Sequence, residues 1–156
     1  MIDENIQQEI RALQKMYPDK RSAVMGALWI VQRRSNGSLT KEDLEKIAEL
    51  LDMGPVEVQA AASFYTMYNV LAPVGRYHIQ VCRNISCTLL DAEQIVAHLE
   101  TSLGIQSGQV TADGKFSLTT VECLGSCGTA PMMQINDDYY EDLTPEKVNQ
   151  ILESLK

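Results

Sequence analysis

Apolar residues recur at helical spacing through the first seventy positions and then give way to the alternation of strands. Ile6, Ile10, Leu13 and Met16 stand three and four apart, which keeps them on one helical face, and Pro18 ends the run. A second helix from Ser22 to Arg34 carries Val24, Leu28 and Val31 on one stripe. Asn36-Gly37 follows with residues that tolerate the left-handed backbone at a helix end. The third helix has the best-marked start. Thr40 can accept from the amide of Asp43, Asp43 partly imitates the Glu of a capping box, and Leu39 can staple to Leu44. Ile47, Ala48 and Leu51 continue its buried face. Gly54-Pro55 closes that helix and opens a fourth, with Val58, Ala61, Ala62 and Tyr65 on one side.

The turn-forming segment Leu71-Ala72-Pro73-Val74-Gly75 interrupts the pattern and divides the chain into a helical region, 1–72, and a second region, 73–156. There Tyr77-His78-Ile79-Gln80-Val81 alternates apolar and polar, which predicts a strand with one buried face that delivers Cys82 at its end. A loop to Cys87 follows. Thr88 with Asp91 can cap a helix bearing Ala92, Ile95, Val96, Leu99 and Leu103, and Gly104 ends it. Asp113-Gly114 turns into a strand from Phe116 to Val121 that delivers Cys123. Met132 to Ile135 predicts a third strand, Asn136-Asp137-Asp138 a tight turn, and Tyr139-Tyr140 a short fourth strand. Thr144-Pro145 starts a last helix with Val148, Ile151, Leu152 and Leu155 buried. The fold class is α+β: an N-terminal helical bundle, then a small mixed sheet with helices packed on it, an order that suits a thioredoxin-like layout.

Composition narrows the function. The chain has 156 residues, near the size of one domain or two small ones, and its 45% hydrophobic and 22% charged residues are those of a globular protein. A net charge of -8 repels phosphate backbones and anionic lipid, which argues against nucleic acid as a partner. Neither a secretory signal nor an apolar stretch long enough to span a bilayer is present, so no direct membrane insertion is expected. The expected compartment is the cytoplasm, where thiols stay reduced and structural disulfides are a poor default.

All four cysteines fall into two close pairs, Cys82-x4-Cys87 and Cys123-x3-Cys127, each at the exit of a predicted strand. Neighbouring strands would bring four soft thiolate donors together, enough for a tetrahedral zinc or for two bridged irons. The spacing predicts a metal without choosing between them, although zinc sites more often use C-x-x-C pairs. A redox dithiol would also favour C-x-x-C, which neither pair has. Gly125 and Gly128 bracket the second pair and permit close backbone approach, so inward N–H groups there would stabilise an anionic cluster; Ser86 and Ser126 are further donors. His78 and His98 have no partner at ligand spacing and read as ordinary structural or surface histidines. The run Asp137, Asp138, Glu141 and Asp142 lacks calcium-loop spacing and reads as a solvated turn.

The segments Val81-Cys82-Arg83-Asn84-Ile85-Ser86-Cys87 and Glu122-Cys123-Leu124-Gly125-Ser126-Cys127-Gly128-Thr129-Ala130-Pro131-Met132 resemble the thioredoxin-like 2Fe-2S ferredoxin family. Within it they look most like the small peripheral-arm subunits of bacterial NADH:quinone oxidoreductases (complex I). Ala62-Ser63-Phe64-Tyr65, Asp113-Gly114-Lys115-Phe116 and Asn136-Asp137-Asp138-Tyr139-Tyr140 extend the similarity. The resemblance implies one 2Fe-2S cluster on Cys82, Cys87, Cys123 and Cys127. It also implies a larger flavoprotein partner that holds FMN and NADH, and further iron-sulfur subunits. The chain itself has no G-x-G-x-x-G after a strand to receive a dinucleotide. By the same resemblance the N-terminal helices dock on the flavoprotein, with Tyr65, Met67 and Tyr68 as candidate contacts, and the complex lies on the cytoplasmic side of the membrane through other subunits. Pro131 resembles the cis-proline of thioredoxin-like folds. The alternatives are the homologous subunit of an NAD-linked or electron-bifurcating hydrogenase or of a formate dehydrogenase, a zinc-stabilised interaction module, and a thiol oxidoreductase.

Overall fold

The computed structural model describes residues 2–35, 37–70 and 73–155, so the expected turn at Asn36 and the Leu71-Ala72 part of the expected boundary lie outside the described residues. The chain divides into two compact units, Met1–Pro73 and Val74–Lys156.

The first unit packs four helices: α1 (Glu4–Gln14), α2 (Val24–Arg34), α3 (Lys41–Leu51) and α4 (Pro55–Phe64). Asp3 caps α1, its side chain accepting from the Ile6 amide at 2.9 Å. The helix stops at Gln14, earlier than the apolar spacing predicts, so Met16 leaves the buried stripe and stands 77% exposed. A 3-10 turn, Lys20–Ala23, capped by Asp19, leads into α2. At α3 the predicted capping box is complete: the Thr40 hydroxyl accepts from the Asp43 amide at 3.2 Å, and the Asp43 carboxylate accepts from the Thr40 amide at 3.1 Å. Ile10, Leu28, Val31, Ile47, Leu51 and Val58 are fully buried and form the core, each contributing about 1.5–3 kcal/mol by its removal from water.

The second unit is built on a five-stranded mixed sheet of order β2-β3-β1-β4-β5, made of β1 (Tyr77–Cys82), β2 (Gln109–Val110), β3 (Phe116–Val121), β4 (Met133–Ile135) and β5 (Asp138–Tyr140). Strands β1 and β3 are parallel, and the other pairings are antiparallel. Because β1 is central, it buries His78, Ile79, Val81 and Cys82 and thus residues on both faces, where a single buried face is expected from its alternation. The buried His78 is reconciled with that position by Ser117, its register partner on β3, whose hydroxyl lies 2.8 Å from Nδ1. Helix α6 (Ala92–Leu103) packs on β1, β3 and α7 (Pro145–Ser154), filling the core with Ile95, Leu99, Val148 and Ile151. Gly75 lies against β3 so closely that a Cβ there would meet the Phe116 carbonyl carbon at 2.5 Å.

Two further local expectations fail. The segment read as a loop to Cys87 is a short helix, α5 (Ile85–Leu89), which Asn84 caps by accepting from the Ile85 amide at 2.8 Å. Thr88 does not cap α6: its hydroxyl donates to the Arg83 carbonyl at 2.9 Å, and Asp91 begins α6 with left-handed backbone.

Candidate metal centre

The parallel pairing of β1 with β3 sets Cys82 directly opposite Val121, so the two strands release their chains side by side at the same end of the sheet. One exit runs through Arg83 and Asn84 to Cys87 on α5; the other runs through Glu122 to Cys123 and Cys127. The exits stay joined beyond the ladder. The Arg83 amide donates to the Val121 carbonyl at 2.9 Å, and Cys82 Sγ stands 4.0 Å from the Glu122 carbonyl oxygen.

The two pairs sit in different surroundings. Cys82 and Cys87 are buried with Ala92 and Met132, with Leu124 and Ala130 packed at the edge, so one side of the site is apolar. Burial pushes the Cys87 thiol above its ordinary value; a hydrogen bond with Cys82 adds to the effect, the Met132 backbone opposes it, and the charges of Cys82 and Cys127 also raise it. Cys82 and Cys127 thus both bear on the Cys87 sulfur. Cys123 and Cys127 are exposed.

Backbone and side-chain hydrogen bonds shape the second cysteine loop. Gly125 has φ +81°, a conformation that side chains disfavour, and its amide donates to Cys123 Sγ at 3.3 Å. Gly128 has ordinary backbone in the 3-10 turn Cys127–Thr129 and open space where a Cβ would stand, so of the two bracketing glycines only Gly125 is required by its conformation. Ser126 bonds the Glu141 carboxylate, not a sulfur, and Thr129 donates to the same oxygen at 2.6 Å. Glu141, expected as part of a solvated turn, thus organises the loop. These two hydroxyls hold its carboxyl below the ordinary carboxylate range. The Tyr139 hydroxyl donates to the Leu124 carbonyl at 2.6 Å, and the Asp142 amide to the Thr129 carbonyl at 2.8 Å. The Ala130–Pro131 bond is cis.

The donor set fits an iron-sulfur cluster. Four thiol side chains on two adjacent loops are soft donors that suit the irons of a cluster, although the same four would also satisfy a tetrahedral zinc. His78 is engaged by Ser117, and His98 Nε2 lies 2.8 Å from Asn149 Oδ1.

Of the residues expected to meet a partner, Tyr68 is buried: its hydroxyl donates to the Met25 carbonyl at 2.8 Å and its ring meets Trp29 edge-on. Tyr65 and Met67 are partly exposed, and Phe64, not singled out by the sequence pattern, is 78% exposed. Ile85 and Leu89, one turn apart on α5 around Cys87, are likewise exposed.

A mixed sheet flanked by helices, with two cysteine loops at adjacent strand ends, defines a thioredoxin-like domain equipped for a metal cluster. The chain belongs to the thioredoxin-like [2Fe-2S] ferredoxin family, whose model matches residues 10–156. It is 45% identical over 151 residues to an NADH-quinone oxidoreductase subunit of Rhizobium meliloti (strain 1021), covering 97% of this chain and 89% of that one. It is 46% identical over 144 residues to an NADH-quinone oxidoreductase subunit of Rickettsia bellii (strain RML369-C), covering 91% and 86%. Among solved structures, an air-oxidised NAD+-reducing [NiFe]-hydrogenase superposes with a TM-score of 0.70 at 24% identity. That match covers 82% of this chain but only 22% of the hydrogenase chain, so it is a likeness of fold. Among the described residues no helix is long and apolar enough to cross a membrane.

Proposed function

We propose that this chain is the small 2Fe-2S subunit of an NADH:quinone oxidoreductase, holding one cluster on Cys82, Cys87, Cys123 and Cys127 and exchanging single electrons with the flavin of a larger partner. The carrying observation is the parallel β1–β3 register, by which one fold element brings both cysteine loops to the same end of the sheet. When bound, the cluster supplies one-electron redox chemistry at iron. The chain's own residues divide the remaining work. Cys82, Cys87, Ala92 and Met132 exclude water from one side. Cys123 and Cys127 occupy the accessible side, from which an electron donor is approached. The Gly125 amide directs a dipole at Cys123 Sγ, which favours the added negative charge of the reduced state.

FMN and NADH belong to the partner in this reading, and further iron-sulfur subunits complete the complex. The complex sits on the cytoplasmic face of the membrane through other subunits. Region 1–72 docks on the flavoprotein, region 73–156 carries the cluster, and Phe64, Tyr65 and Met67 supply apolar and aromatic contact of the kind enriched in interfaces. The relatives named as quinone oxidoreductase subunits, at 45% and 46% identity, favour that parent complex over a hydrogenase, whose likeness extends to fold. The test is purification of the native complex through a tag on this chain. Recovery of a flavin-binding, NADH-oxidising subunit with quinone reductase activity supports the reading, and recovery with hydrogenase subunits contradicts it.

A further inference from the structure

Cys127 lies in a 3-10 turn that begins one residue after Ser126 and ends at Thr129. It is exposed, so burial does not hold it. Besides its backbone bond from the Thr129 amide to the Ser126 carbonyl at 3.3 Å, the turn is tied by a single carboxylate oxygen. Glu141 Oε1 accepts from the hydroxyl of Ser126 and, at 2.6 Å, from that of Thr129; the two hydroxyls lie 2.9 Å apart. Glu141 is itself fixed from behind, because Lys147 Nζ donates to its backbone carbonyl at 2.6 Å and the next residue's amide donates to the Thr129 carbonyl at 2.8 Å. Hydrogen bonds to an ionised acceptor are about twice as strong as neutral ones.

We propose that Glu141 is a positioning residue for the cluster: its carboxylate clamps both sides of the Cys127 turn and keeps a negative charge beside the thiolates. This rests on the reading of Cys127 as a ligand. The clamp has two separable parts. Glu141→Gln retains an acceptor oxygen but removes the charge, whereas Glu141→Ala removes both. A fixed negative charge near a centre that gains an electron disfavours the reduced state, so its removal raises the reduction potential. Loss of the acceptor releases the hydroxyls and loosens the turn.

Two measurements on the full chain test this. Amide hydrogen exchange on the metal-free chain reads the clamp without any cluster. In Glu141→Ala, exchange at Thr129 and Asp142 is expected to speed up about tenfold, the equivalent of one charge-assisted hydrogen bond, while Glu141→Gln stays nearer wild type. On the cluster-loaded chain, a redox titration followed by EPR is expected to give a higher potential in both variants. Iron loss to a chelator should be faster in Glu141→Ala and restored by Glu141→Gln. Unchanged exchange in Glu141→Ala overturns the clamp, and an unchanged potential in both variants overturns the electrostatic role. A wild-type chain without iron and sulfide contradicts the cluster reading instead, and the exchange data still judge the clamp.

Discussion

Cys82 stands across the parallel ladder from Val121, the last residue of β3 and two residues before Cys123. Two cysteines 41 positions apart in sequence are thereby set at the mouths of adjacent strands, and neither loop has to search for the other. The buried partner of Cys82 is Cys87, and the exposed partner of Cys123 is Cys127.

That asymmetry predicts different penalties for the four cysteines. Serine at Cys123 or Cys127 should leave the urea-unfolding free energy of the metal-free chain within about 0.5 kcal/mol of wild type. Serine at Cys87 should cost about 1–3 kcal/mol, because a hydroxyl replaces a thiol in an apolar setting. All the substitutions, Cys82→Ser included, should lower or alter cluster content, with the first unit's helices retained by circular dichroism. Equal destabilisation at buried and exposed positions contradicts the assignment of one dry and one accessible side.

The glycines should separate as sharply. Gly125→Ala forces a side chain to φ +81° and is expected to cost about 1 kcal/mol and to weaken cluster retention. Gly128→Ala should be silent, since its Cβ meets nothing within 4 Å. Gly75→Ala should be worst, about 3 kcal/mol, because its Cβ meets backbone atoms of Phe116 and Ser117. Denaturation midpoints of the three variants provide the ranking.

Acid should weaken the second unit through His78. Burial lowers its pKa below the ordinary 6.5, so the unfolded chain binds the proton more readily than the folded one. Its contribution is therefore complete above pH 6.5 and declines as pH falls from there toward the lowered value. Unfolding free energies measured from neutrality downward should fall over that window, and less so in His78→Gln. A slope unchanged by the substitution would mean another group carries it.

Partner binding should depend on Phe64, Tyr65 and Met67 but not through stability. Alanine at Phe64 is expected to leave the melting curve intact while reducing recovery of the flavoprotein with the tagged chain. Tyr68→Phe should do the reverse: a loss of about 1 kcal/mol from the missing bond to the Met25 carbonyl, with recovery preserved.

The parts of the fold legible in the sequence are those fixed by near neighbours. Thr40 and Asp43 lie three positions apart, and the structure builds the capping box they spell. The paired cysteines at strand exits are legible because a strand ends where its turn residues begin. Features that depend on distant partners are not. Tyr68 is buried by Trp29 and bonded to Met25, 39 and 43 residues earlier, and nothing in its own segment separates it from exposed Tyr65. Glu141 reads as one acid in a solvated run until the hairpin carries it back to Ser126 and Thr129, 15 and 12 residues away. The helix Ile85–Leu89 and the strand Gln109–Val110 escape for another reason: five and two residues are too few to display a period.

The most direct test of the central claim is metal and sulfide analysis of the full chain purified without oxygen, with EPR before and after dithionite. A 2Fe-2S cluster predicts two irons and two acid-labile sulfides per chain and a brown colour that bleaches on reduction as a paramagnetic signal appears. A colourless chain holding one zinc and no labile sulfide would contradict it.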